Sequence, residues 1–276
     1  MSGELAPAPG LERVAEIESH SLRAWPATVL QTTDDGWVFR ATPGLNGRGR
    51  SNHALTPVRP LERAEYDWGI KRAEAFAAGQ GIDCGVQVSP IDIHVPLLDE
   101  FSGRGWNIQQ AVVVMTGDTQ AVAAGADPSF ELTVSDSATP GWIDAWTHCD
   151  GRADVDEHVA TVFPRMAGVA RFAHAGSRAV GISVELDGIV GLFCIAVSPD
   201  HRRQGLGKKL VQAMLAQHSG ALTYLQVFSE NQGGIALYRS LGFDEEYRYC
   251  HCTLPGSGDS GSGAAGGAAA ASGGGC

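Results

Sequence analysis

Residues 198–210, SPDHRRQGLGKKL, combine side chains and a spacing that could bind a diphosphate. The stretch lies between an apolar run and a run with helical spacing, so it is predicted to open a helix. A helix N-terminus offers free backbone N–H groups and a partial positive charge, and Gly205 and Gly207 allow a phosphate close approach to the backbone. The cationic side chains that could add donors are Arg202, Arg203, Lys208 and Lys209. An ordinary turn and a non-specific basic patch are the alternatives.

Two well-known phosphate-binding loops do not fit this stretch. A P-loop has a glycine separated by four residues from its Gly-Lys pair and a hydroxyl residue after the lysine, where this chain has Arg202 and Lys209. The dinucleotide-binding pattern needs a third glycine at the position of Leu210. Both types of nucleotide site are therefore excluded.

The pattern that does fit is Arg-x-x-Gly-x-Gly, present as RRQGLG at 202–207. It follows a strand-like run that ends in IAVSP and precedes the segments LTYLQVFSEN and NQGGIALYRSLGF. In this order the segments resemble the GNAT superfamily of acyl-CoA-dependent N-acetyltransferases over about residues 179–249. The resemblance implies acetyl-CoA as co-substrate and no metal.

The resemblance also implies which residues bind the cofactor. In the superfamily the strand before the loop pairs with the pantetheine arm through its backbone, the loop amides hold the pyrophosphate, and an asparagine that begins the next helix touches the cofactor. The alternative role of that asparagine is to cap the helix, which alone would account for its presence there. The implied residues are Ile195, Ala196, Val197, Arg202, Arg203, Gln204, Gly205, Leu206, Gly207, Lys208 and Asn231.

Acetyl transfer to an amine needs a polarised thioester carbonyl, a proton for the leaving thiolate and an unprotonated amine. Tyr238 lies where the superfamily's thiolate-protonating tyrosine usually lies, although a core aromatic is the alternative reading. Some relatives carry a glutamate on the strand before the loop, at the position occupied here by Gly191. The sequence therefore predicts an acid, Tyr238, and assigns no general base.

Apolar runs predict the elements that position these residues. Three strands (VARFAHA, AVGISVEL and GIVGLFCIAV) precede the loop, and a helix, a strand, a second helix and a last strand follow it. The N-terminal half, with LRAWPA, GWVFRA, RSNHA, QVSP and VVVMT, resembles a bacterial branch in which a degenerate acetyltransferase-like unit precedes the working one. In this half Gly79 and Gly81 follow a helix instead of opening one, so it is not expected to bind the cofactor.

The predicted fold class is α/β (α+β), with tandem GNAT-like units, each a mixed, mostly antiparallel sheet flanked by helices. The predicted domains are a degenerate unit at 1–125, a catalytic unit at 126–255 and a flexible Gly/Ala/Ser-rich tail at 256–276.

Composition limits the partners. A net charge of −11 argues against general nucleic-acid binding, and the apolar run IVGLFCIAV is too short to span a membrane. With no signal peptide evident at the N-terminus, the chain is expected in the cytoplasm. The segment CHC at 250–252 has no second ligand pair at zinc spacing and suits one face of a strand.

The sequence thus predicts an N-acetyltransferase that moves an acetyl group directly from acetyl-CoA to an amine, with both substrates bound together. The acceptor, a small molecule or a protein amine, stays open, as does the oligomeric state. The alternative function is a non-catalytic acyl-CoA sensor or scaffold.

Overall fold

The computed structural model of the chain describes residues 10–45, 47–151 and 154–256. The helices are α1 (Glu12–Ala24), α2 (Gly49–Asn52), α3 (Arg63–Gln80), α4 (Val95–Gly103), α5 (Thr119–Ala123), α6 (Pro140–Asp150), α7 (Val155–Thr161), α8 (Leu206–Leu215) and α9 (Gln232–Ser240). The strands are β1 (Val29–Thr32), β2 (Val38–Ala41), β3 (Ala54–Leu55), β4 (Gly85–Val88), β5 (Asn107–Ile108), β6 (Val112–Asp118), β7 (Thr133–Ser135), β8 (Val169–His174), β9 (Ala179–Leu186), β10 (Ile189–Val197), β11 (Leu222–Phe228) and β12 (Asp244–Thr253). The predicted tail, apart from residue 256, lies outside the described residues.

The chain divides into two units that are interleaved in the sequence. Unit 1 contains the described residues within 10–19, 27–111 and 247–256, and unit 2 contains those within 20–26 and 112–246. Each unit is therefore completed by a segment that is distant in sequence.

Unit 1 is built on the strand order β1-β2-β3-β4-β12, with β5 also paired to β12. β3 and β4 run parallel, and the other pairs of this sheet run antiparallel. Its core contains Trp37, Phe39, Phe101 and Trp106, and both cysteines of the CHC segment lie buried in β12.

Unit 2 has the strand order β6-β11-β10-β9-β8-β7. β10 and β11 run parallel, and the remaining pairs run antiparallel. Both units thus confirm the predicted mixed, mostly antiparallel sheet with flanking helices. The three strands predicted before the loop are β8, β9 and β10, and the predicted helix after it is α8.

β10 and β11 separate along their length. Their parallel pairing covers three residue pairs and ends at Gly191 and Tyr224. Beyond these residues β10 stays paired with β9 up to Val197, while β11 stays paired with β6 up to Phe228. In the described pairing, the backbone of β10 at 192–197 therefore has no strand partner on the β11 side, and a cleft opens next to the loop that follows Val197.

Candidate active site

A cavity of about 470 Å³ lies in unit 2 at the start of α8. Its lining residues come from the end of β10, the loop that follows it, the first turn of α8, and α9. They are Ile195, Val197, His201, Arg202, Arg203, Gly205, Leu206, Gly207, Lys208, Asn231, Gly233, Gly234, Leu237 and Tyr238. The described lining residues include no carboxylate side chain, and four of them can carry positive charge. The cavity therefore suits an anionic ligand.

The loop between β10 and α8 is held in a tight conformation. A short 3-10 helix, Pro199–His201, follows β10, and the Nε of Arg202 donates to the carbonyl oxygen of Val197 at 3.1 Å. Arg203 has a φ of 59° and Gly205 a φ of 76°, both in the left-handed region. A non-glycine residue in that region is strained by about 1–2 kcal/mol, and such strain clusters at ligand-binding loops.

The N-terminus of α8 has its backbone donors available. Gly205 is the N-cap residue, and no described side chain caps the helix. The N–H groups of the first turn have no partner within a helix, and together with the helix dipole they favour an anion. A Cβ built at Gly205 would find no atom within 4 Å, so open space adjoins these donors.

Ten of the twelve residues proposed from the sequence lie around this cavity; Ala196 and Gln204 do not line it. Ala196 is buried in β10, and the exposed Gln204 donates to the carbonyl oxygen of Asp200 at 3.3 Å. Lys209, which the sequence grouped with the phosphate-binding cations, forms an ion pair with Asp127 instead, at 3.0 Å. Lys209 is therefore not among the residues that line the cavity.

α9 forms the opposite wall. The Oδ1 of Asn231 accepts from the backbone N of Gly234 at 2.9 Å, which confirms the predicted N-cap. Tyr238 lines the cavity and is only 2% exposed, and its ring packs edge-on against Phe243 with centroids 5.9 Å apart. The tyrosine is thus both a core aromatic and a residue of the cavity wall.

Four lining residues were missed by the sequence analysis: His201, Gly233, Gly234 and Leu237. His201 directly precedes the two arginines, and Leu237 directly precedes Tyr238. Gly233 and Gly234 lie in the first turn of α9, and a Cβ at Gly234 would come within 2.7 Å of the side chain of the N-cap Asn231. The signal for all four was their position within three residues of a predicted residue.

Gly191 occupies the strand position where some members of the superfamily carry a glutamate, and neighbouring side chains fill the space beside it. A Cβ built at Gly191 would lie 2.8 Å from Phe193 and 2.9 Å from the hydroxyl of Tyr224. The Nε2 of His20 lies 3.1 Å from the carbonyl oxygen of Ile189, so it donates, and the Nδ1 accepts from Tyr224 at 3.0 Å. Burial lowers the pKa of His20 to about 4, which keeps the imidazole neutral.

We predict that Gly191→Glu lowers the free energy of unfolding by at least about 3 kcal/mol, because it overpacks the core and buries a carboxylate. It should supply no catalytic base. Chemical denaturation checks this, with Gly188→Glu as control, since a Cβ there has no atom within 4 Å. Equal destabilisation of the two variants would contradict the packing derived for residue 191.

Unit 1 contains a parallel β-α-β segment of its own, β3-α3-β4, and its helix begins differently. At the N-terminus of α3, the carboxylate of Glu65 accepts from the backbone N of Glu62 at 2.7 Å and forms an ion pair with Arg59 at 2.7 Å. A carboxylate thus lies where a phosphate would have to bind. Gly81 forms the left-handed C-cap at the other end of α3, whereas Gly79, which the sequence analysis also placed after the helix, lies within it.

Other kinds of site find no support in the part of the chain that the structure describes. There, no group of three or more His, Cys, Asp or Glu side chains is arranged to hold a metal ion. Within the same residues, no helix has both the length and the apolar character that a membrane crossing requires.

A family model covers nearly the whole described chain. The model described as "Probable histone acetyltransferase Rv0428c C-terminal" matches residues 13–252. The chain belongs to this acetyltransferase family. This N-acetyltransferase is also 24% identical over 257 residues to "Uncharacterized N-acetyltransferase YobR" of Bacillus subtilis, an alignment that covers 87% of the chain and 98% of that relative.

Solved structures share the fold of this N-acetyltransferase. The "GCN5-related N-acetyltransferase from Kribbella flavida" aligns with a TM-score of 0.65 and 17% identity, covering 91% of this chain and 97% of that one. A "Tandem GNAT protein from the clavulanic acid biosynthesis pathway" aligns with a TM-score of 0.57 and 16% identity, covering 92% and 91%. The fold is therefore that of the GNAT superfamily, and a neighbour with two such units matches most of the chain.

Proposed function

We propose that unit 2 binds acetyl-CoA in the cavity at the start of α8 and transfers the acetyl group directly to an amine while both substrates are bound. The observation that carries the proposal is one cavity that joins an uncapped helix N-terminus, cationic side chains and an apolar end beside Tyr238. GNAT acetyltransferases use acetyl-CoA as co-substrate, and the two chemically different ends of this molecule match the two ends of the cavity.

The polar end fits a diphosphate. The N–H groups at the start of α8 have no side-chain cap, and Gly205 leaves open space beside them. Arg203 and Lys208 line the cavity at this end and are exposed, so their charges can reach phosphate oxygens. Arg202 is anchored to Val197 by its Nε and would act by charge and by fixing the loop.

The apolar end fits the pantetheine arm. Ile195 and Val197 contribute one wall and Leu237 another. On the side from which β11 has diverged, the backbone of β10 can pair with the amide groups of the arm as a neighbouring strand would. Ala196 pairs with Val180 of β9. Because the N–H of Ser198 donates to the carbonyl oxygen of Arg178, the alternation of the antiparallel ladder turns the backbone groups of Ala196 toward β9. The arm would therefore pair with Ile195 and Val197.

Bound acetyl-CoA supplies an activated acyl group, whose carbonyl carbon accepts the amine nitrogen as the bond to sulfur breaks. The backbone N–H groups of Ile195 and Val197 would polarise the carbonyl oxygen, and such polarisation is strongest in a cleft that excludes water. The hydroxyl of Tyr238 would donate a proton to the leaving sulfur. No residue is assigned as general base, because the wall around Gly191 holds Phe193 and Tyr224 in place of a carboxylate. The proton that the amine nitrogen loses would pass to solvent, which in turn restores the proton of Tyr238.

Release of free thiol from acetyl-CoA tests the proposal when measured against a panel of small amines and peptides. Calorimetry of acetyl-CoA binding should accompany it. Amine-dependent release supports direct transfer and begins to identify the acceptor. Binding without release from any acceptor would favour the sensor or scaffold function, and absence of binding would refute the cofactor site.

We predict one acetyl-CoA bound per chain. The start of α8 is open to phosphate, whereas that of α3 carries the carboxylate of Glu65, which would repel it. Calorimetry with a known concentration of active protein measures the stoichiometry. A value near two would contradict the argument from α3.

A further inference from the structure

We infer that Ile195 closes the apolar end of the cavity and limits the transferred acyl group to a short chain, and that Gly181 holds this side chain in position. The inference rests on the proposed function, because it concerns the same cavity. It adds a determinant of acyl-chain length that neither the loop nor Tyr238 provides.

A β-bulge sets the position of Ile195. Phe193 of β10 pairs with Ile182 of β9, and Ala196 pairs with Val180, so three steps along β10 match two along β9. Cys194 absorbs the extra residue with a φ of 53°, in the left-handed region. The bulge re-aims the side chains that follow it, and Ile195 becomes part of the cavity wall.

The glycine opposite the bulge provides the space for Ile195. A Cβ built at Gly181 would lie 2.6 Å from the Cδ1 of Ile195 and 2.8 Å from the Sδ of Met214 on α8. Ile195 therefore occupies space that any larger residue at position 181 would take. It is 5% exposed and packed into the core of unit 2, so it cannot swing aside without leaving a void.

The acyl group must lie close to this side chain if the proposed function is right. Tyr238, the proposed proton donor to the sulfur, lines the same cavity as Ile195 and belongs to the same core cluster. The residues proposed to bind phosphate come from the loop after Val197 and from the first turn of α8. The thioester is therefore placed at the apolar end, where a chain longer than acetyl would meet the Ile195 side chain.

The test is calorimetric binding of unacylated CoA, acetyl-CoA, butyryl-CoA and hexanoyl-CoA to the full chain. The wild type should bind hexanoyl-CoA at least about tenfold more weakly than acetyl-CoA, a size of effect typical of small hydrophobic pockets. Ile195→Ala removes three carbons from the wall and should shrink this ratio at least about fivefold, whatever common factor it applies to the affinity for all four ligands through the pantetheine arm. Ile195→Val should shift the ratio in the same direction by less, and it provides the test if the alanine variant does not fold.

Two further variants separate a local effect from general loosening. Val197→Ala also enlarges the cavity wall, but next to the phosphate loop, and should change the affinity for all four ligands by a similar factor. Gly181→Ala should displace Ile195 and weaken acetyl-CoA more than unacylated CoA. An unchanged chain-length ratio in both Ile195 variants, or no discrimination by the wild type, would overturn the inference while leaving the cofactor site intact. Failure of unacylated CoA to bind the wild type would overturn the proposed function itself.

Discussion

Gly205→Glu should weaken the binding of acetyl-CoA at least about a hundredfold while unit 2 remains folded. The residue is the N-cap of α8 with a φ of 76°, and its Cα borders open space. A glutamate there would project toward the N–H groups proposed to hold the pyrophosphate and could accept hydrogen bonds from them itself. The lost interactions are charge-assisted hydrogen bonds of about 1.5–3 kcal/mol each, so loss of one or two gives an effect of this size.

The expected cost to folding is much smaller. Left-handed backbone is unfavourable for glutamate by about 1–2 kcal/mol, and the new carboxylate at a helix N-terminus offsets part of this cost. Gly188→Glu is the matched control, because Gly188 has a φ of 77°, borders open space and precedes β10 at the end distant from the loop. It introduces the same charge and the same strain outside the cavity.

Calorimetry on both variants decides the prediction, with the free energy of unfolding measured alongside. We expect normal affinity for Gly188→Glu and none that is measurable for Gly205→Glu at ordinary protein concentrations. Similar affinity in the two variants would show that 198–210 is a basic turn without a phosphate-binding role.

The loop and its flanking elements could be predicted because their signals are local. The apolar run of β10, the glycines at 205 and 207, and the helical spacing of Leu210 and Met214 all lie within one segment of sequence. Each is read from propensity and periodicity, which adjacent residues decide. The N-cap role of Asn231 is local in the same way.

Long-range contacts could not be predicted from the sequence. The ion pair that draws Lys209 away from the cavity is made with Asp127, 82 residues earlier. The side chains around Gly191 include Tyr224, whose hydroxyl is held by His20, 204 residues away. The sequence alone shows that Gly191 stands where some relatives have a glutamate, but it does not show which side chains pack beside that position.

The bulge in β10 could be predicted only in part, because its sequence signal lies in the neighbouring strand. Cys194 is an ordinary strand residue in the sequence, and nothing in IVGLFCIAV marks a left-handed backbone at that position. The signal is Gly181 in the neighbouring strand, which becomes meaningful only when the register of β9 and β10 is known. The register therefore decides how the wall of the proposed thioester site is built.

Tyr238→Phe should lower the rate of the chemical step about a hundredfold and change the affinity for acetyl-CoA by no more than about threefold. The size is the lower end of what a positioned proton donor contributes to catalysis. The ring of Tyr238 packs against Phe243 in the core, and phenylalanine keeps that contact. The variant therefore removes the hydroxyl with little change in packing, which separates the proposed acid from a purely structural aromatic.

Tyr224→Phe is the matched control for loss of a buried phenol. Tyr224 is fully buried in the same unit and does not line the cavity, and its hydroxyl donates to His20. Its removal leaves the Nδ1 of His20 without that bond and should cost about 1–3 kcal/mol of stability, with the rate of transfer nearly unchanged. The rate of transfer therefore separates the two variants, since it should fall for Tyr238→Phe and stay nearly unchanged for Tyr224→Phe.

Single-turnover measurements are needed, because product release would hide a slower chemical step in kcat. The proton donated to the sulfur is required only as the thiolate leaves, so its loss should appear in the rate at saturating acetyl-CoA and amine, and not in the Kd of either. An unchanged single-turnover rate in Tyr238→Phe would assign this tyrosine to the core alone. Proton delivery to the leaving sulfur would then need a donor other than a phenol, since the cavity wall as described offers no second one.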